Sequence, residues 1–122
     1  MEKNPTREEL LDLIGELVRA DGFRRLTFAG ATRGLPCPWV RVVVRPVDLR
    51  GEVHYQFAYQ GARKAVTKNF LLNELEPPLG ELVSYGFAGV HITTNTEEID
   101  IRTSRKGRVH IGRNKLKSPV TN

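Results

Sequence analysis

Leu10, Leu13, Ile14, Leu17 and Val18 recur at spacings of three and four residues, which draws one apolar stripe along a helix. The pattern predicts a helix over 6–20. Thr6 and Glu9 stand three apart at its start, the signature of a capping box in which each side chain satisfies an orphan backbone donor of the first turn. Asp21-Gly22 ends it. Gly15 inside costs roughly 1 kcal/mol relative to alanine, so packing must hold this helix.

Beyond Gly22 the period shortens to two, and 23–29, 39–47 and 53–59 read as strands. In the second, Val40, Val42 and Val44 point one way and Arg41 and Arg45 the other. In the third, Val53, Tyr55, Phe57 and Tyr59 share a face opposite His54, Gln56 and Ala58. Such an aromatic stripe can serve as a base-stacking platform, but burial tendencies favour the core. A Gly/Pro-rich loop over 30–38 separates the first two strands, and Arg50-Gly51 turns the chain between the next two. Residues 65–72 follow no clear period and read as a short extended segment and a turn.

A short helix begins near Pro77-Pro78, where proline suits a first helical turn, and ends at Tyr85-Gly86 with Leu79, Leu82 and Val83 inward. Strands follow at 87–94, 98–103 and 108–111, the last two joined by a tight turn at Lys106-Gly107. The expected fold is α+β, with two helices and about six mostly antiparallel strands in the order α-β-β-β-α-β-β-β. Val42, Val44, Tyr55, Phe57, Ile92 and Ile101 are expected to be buried. Residues 1–113 form one domain, and 114–122 a basic linker or tail.

A chain of 122 residues with 39% hydrophobic and 27% charged residues suits one globular domain. The first twenty residues lack the unbroken apolar run of a secretory signal, and no stretch approaches the ~20 apolar residues of a bilayer span. The expected address is the cytoplasm, with no membrane partner. Cys37 is the single cysteine, which excludes an internal disulfide and a cysteine-rich zinc site.

The net charge of +5 is unevenly distributed. Residues 101–122 contain seven cations, Arg102, Arg105, Lys106, Arg108, Arg113, Lys115 and Lys117, and no acid, which leaves −2 on the first hundred residues. This asymmetry favours a polyanion near the C-terminal end; a solvated basic strand and tail would give the same composition. Arg41, Arg45, Arg102, Arg105, Lys106, Arg108 and Arg113 are the candidate nucleic-acid contacts. Residues of this kind contact phosphate, which gives affinity without sequence information.

Catalytic patterns are absent from the sequence. His54, His91 and His110 fall on polar strand faces, dispersed and without the convergence a zinc site needs. Cys37 lies between two prolines with no base indicated by the sequence. No glycine-rich phosphate loop and no nucleophile elbow occurs. The chain is therefore read as no enzyme, with no catalytic, cofactor-binding or metal-binding residue of its own.

Arg45-Pro46-Val47-Asp48-Leu49-Arg50-Gly51-Glu52, followed by His54-Tyr55-Gln56-Phe57-Ala58-Tyr59, resembles a stretch in the N-terminal domain of bacterial class I S-adenosylmethionine-dependent methyltransferase-like proteins. Thr67-Lys68-Asn69, Thr93-Thr94 and Ser104-Arg105-Lys106-Gly107-Arg108 extend the likeness, which runs from about Leu10 to Lys117. The resemblance implies a basic linker and then a Rossmann-like catalytic domain downstream that would bind S-adenosylmethionine. That domain resembles methyltransferases of ribosomal RNA, which makes RNA the favoured substrate class. The present chain would be its non-catalytic accessory domain, recruiting RNA through a basic surface. The alternative is a structural or protein-interaction module that braces the catalytic domain or forms a homodimer.

Overall fold

In the computed structural model, which describes residues 5–30, 37–104 and 108–116, helix α1 spans Arg7–Arg19. Its capping box is formed. The Thr6 hydroxyl accepts from the Glu9 backbone N–H at 3.1 Å, and the Glu9 carboxylate accepts from that of Thr6 at 3.1 Å. Leu10, Ile14, Leu17 and Val18 are buried along one face. Strands β1 (Phe23–Gly30), β2 (Arg41–Leu49), β3 (Glu52–Gln60) and β4 (Ala65–Phe70) follow. A 3-10 turn at Leu72–Glu74 leads into α2 (Glu76–Tyr85), and β5 (Phe87–Thr94), β6 (Glu97–Thr103) and β7 (Val109–Lys115) complete the order.

The strands make one seven-stranded sheet in the order β4-β3-β2-β1-β5-β6-β7, antiparallel at every pairing. Two meanders, β1–β4 and β5–β7, meet at the β1–β5 pairing, and α2 carries the chain from the β4 edge back to β5. The core lies on one face only. There Leu26, Phe28, Val42, Val44, Phe57, Val90, Ile92, Ile99 and Ile101 pack beneath Leu10, Ile14, Val18, Leu79 and Leu82 of the helices. Full burial of one such side chain stabilises by about 1.5–3 kcal/mol. Phe28 meets Phe87 edge-on at 6.0 Å, and Phe57 meets Phe70 likewise at 5.0 Å. Among the described residues no helix is long and apolar enough to cross a membrane.

The α+β class and the antiparallel pairing agree with the sequence reading, and three details differ from it. A seventh strand, β4, occupies the segment that showed no clear period. As an edge strand it turns only Val66 and Phe70 toward the helix side, with Lys68 between them, too little apolar signal for periodicity to register. Strand β7 extends through Asn114 and Lys115, so the tail does not begin at 114. Tyr55 is only partly buried, packed at the margin of the core, whereas Val42, Val44, Phe57, Ile92 and Ile101 are fully enclosed. The Lys106-Gly107 turn lies outside the described residues; Ser104 and Arg108 bond across its base at 2.8 and 3.0 Å.

Candidate nucleic-acid interface

No helix among the described residues covers the second face of the sheet, as an antiparallel sheet permits. Directly opposed residues share a face, so the register draws rows across it. One row runs Gln60, Arg41, Ala29, Gly89, Arg102, His110 from β3 to β7. The next runs Ala58, Val43, Thr27, His91, Asp100, Gly112. Arg45, beside Gln56, and Arg25, beside Thr93, lie beyond it on β2 and β1. The centre of the face is a floor of small side chains, and the arginines stand around it.

Arg41, Arg45 and Arg102 are brought to this face, and all three are exposed. Arg41 and Arg102 have no hydrogen-bonded or ion-paired partner among the described residues. Arg45 donates to the neutral Gln56 amide oxygen at 3.2 and 3.1 Å, which orients the guanidinium and leaves its charge unopposed. Arg108 stands exposed at the base of the β6–β7 loop. Arg105 and Lys106 lie outside the described residues. Arg113 is placed elsewhere: opposite Ile99, it shares the helix-side face and ion-pairs with Glu97. That pair holds Glu97 below the usual carboxylate range through its hydrogen bond with Arg113, and raises Arg113 in return.

Arg25 is a cation of the open face that sequence reasoning missed. Strict alternation from the buried Phe23 would have turned Arg25 inward. A register shift between Phe23 and Arg25 inserts one residue, so Leu26 and Phe28 take the core side instead. A bulge of this kind re-aims every later side chain of the strand, and the Arg24-Arg25 doublet was its only trace in the sequence.

Acids share the face as well: Glu52 at the start of β3, Glu98 on β6, and Asp100 on β6 beside His91 and two residues from Arg102. Asp100 accepts from Nδ1 of His91 at 2.6 Å across the β5–β6 pairing. A carboxylate only accepts, so the Nδ1 proton lies between them and the second ring nitrogen is left for other partners. The pair borders a shallow depression of about 200 Å³ that also touches Thr27, Gly89 and Arg102. This is the base-and-orienter half of a hydrolytic arrangement, but no hydroxyl among the described residues hydrogen-bonds His91. Among those residues, too, no group of three or more metal-ligating side chains converges.

None of the nine Phe, Tyr and Trp rings lies on the open face, whose rings are the imidazoles of His54, His91 and His110. Eight of the nine belong to the core cluster or pack against it, and Tyr85 sits on α2 with its hydroxyl donating to Glu81 at 2.9 Å. The aromatic stripe of β3 is thus a core feature, with Phe57 and Tyr59 buried. What the open face offers is cations around a floor of Ala, Gly, Val and Thr, with the His91–Asp100 pair beside it. Comparison of the chain with protein-family models, with curated proteins and with solved structures gave no match.

Proposed function

We propose that this chain is a non-catalytic accessory domain that holds an RNA substrate on its open sheet face, on behalf of a downstream S-adenosylmethionine-dependent methyltransferase domain. The observation that carries the RNA part is the set Arg25, Arg41, Arg45 and Arg102, four guanidinium groups on one open face with no carboxylate partner among the described residues. An unpaired guanidinium keeps its full charge and its fork of donors for phosphate oxygens. The methyltransferase part rests on the resemblance of 45–59 and 104–108, and the methyl donor belongs to that expected domain. Arg108 extends the basic margin; Arg105 and Lys106, candidates by sequence, lie outside the described residues. The same reading places the protein in the cytoplasm, where RNA substrates are found.

Phosphate contacts release counterions, and four of them predict roughly a 10²-fold loss of affinity between about 50 and about 200 mM salt. Fluorescence anisotropy with a labelled RNA hairpin measures this directly. Replacing Arg25, Arg41, Arg45 and Arg102 together by Ala is expected to abolish most of the binding and to flatten the salt slope by about three units. Circular dichroism should be unchanged, since all four are exposed. Equal affinity of the parent and the quadruple variant for RNA would remove this face from the function and favour the bracing role.

A further inference from the structure

We infer that the open face receives the backbone of an RNA double helix in preference to a single strand; this rests on the RNA-binding reading above and adds the shape of the ligand. The first ground is what the face lacks. Proteins that hold single strands without sequence preference combine cations with aromatic rings on which the bases stack, each stack worth about 1–3 kcal/mol. Here all nine Phe, Tyr and Trp rings are turned elsewhere. Of the three imidazoles on the face, His91 is held by Asp100 and His54 by the Glu52 carbonyl, and His110 stands on the edge strand. An unpaired base laid between Arg41 and Arg102 therefore meets Ala29 and Gly89. A duplex needs no such platform, because its bases are already stacked within it. It also carries the phosphates of two strands along one axis, about twice the charge per length of either strand within it.

The second ground is spacing. Arg41 and Arg102 occupy one cross-strand row with Ala29 and Gly89 between them. Three strand spacings separate them by about 14 Å. Arg45 lies four residues from Arg41 along β2, about 13 Å away. Two cationic rims with a low floor between them match two phosphate ridges flanking a groove. A-form RNA is contacted in this manner, by backbone and shape across its wide minor groove. A single strand offers one ridge and leaves one rim idle. The floor must stay low for this, and the two positions between the rims are alanine and glycine.

The test compares a blunt 16-base-pair RNA duplex with a 16-nucleotide oligouridylate at equal salt. The duplex is expected to bind at least tenfold more tightly to the full chain. Ala29→Glu, an exposed position at the centre of the floor, should weaken duplex binding at least tenfold while the circular dichroism spectrum and melting cooperativity are retained. Equal or tighter binding of the oligouridylate would overturn the inference and leave the RNA-binding reading standing. Binding of neither RNA would overturn both. Duplex affinity indifferent to Ala29→Glu in a folded variant would overturn the placement of the duplex on this face.

Discussion

Arg50 and Gly51 carry the β2–β3 hairpin at φ 55° and φ 82°. A two-residue loop between twisted strands favours a turn with positive φ at both central positions, and arginine adopts that conformation reluctantly. The Asp48 carboxylate, accepting from the Gly51 N–H at 2.9 Å, helps to hold it. Arg50→Asn is therefore expected to raise stability by about 0.5–1 kcal/mol, read as a higher urea midpoint at unchanged m-value. Gly30 is constrained differently. A Cβ there would lie 2.2 Å from the Trp39 carbonyl oxygen, and that oxygen belongs to backbone entering β2. Gly30→Ala should cost about 1–3 kcal/mol, as overpacking does. A melt indistinguishable from the parent would show that the β1–β2 junction yields more freely than its close packing implies.

Helix α1 and strands β1 and β7 show how single elements are tuned. Removing the Thr6 cap by Thr6→Ala should cost about 1 kcal/mol, measurable in the same urea titration. The capping box and the apolar stripe were both legible before folding, because each depends on residues within one turn of the other. The facing of β1 was not, since its bulge arises from pairing with β5 and leaves no fixed residue pattern. Nor was the role of Arg113, which meets Glu97 only because β7 lies antiparallel to β6. Glu97 is lowered in the folded protein, so its pair stabilises above the unfolded carboxylate value of about 4.3 and is lost as pH falls through the lower folded value. Glu97→Gln should flatten the dependence of stability on pH in that acidic window and leave RNA affinity unchanged, because the pair sits on the helix side.

At the scale of the whole molecule there are two layers: helices and one sheet face make the core, and no helix among the described residues covers the other face. Burial, with a smaller contribution from the Glu81 charge, pushes the Tyr59 hydroxyl up to about 12. The stability that Tyr59 gives is therefore complete below about pH 10, its unfolded value, and is lost as pH rises toward 12. Tyr59→Phe should reduce that alkaline loss in thermal melts that span about one pH unit to either side of the unfolded value. The two sheet edges, β4 and β7, carry Lys68 on one and Arg113 and Lys115 on the other. Charges of this kind discourage edge-to-edge pairing with another chain.

By itself the sequence determined the class, both helices, six of the strands and the division of β2 and β3 into an apolar and a polar face. These are local properties, set by periods of 3.6 and 2, by caps and by turn residues, and they survive without knowledge of neighbours. Only the tertiary structure decided that the seven strands form one sheet, that both helices cover the same side and that Arg25 joins Arg41, Arg45 and Arg102 while Arg113 does not. The physical reason is that coming together on a face is a property of register. Arg41 and Arg102 are 61 positions apart in the chain, and they share a row only because four strands pair in one order and at one alignment.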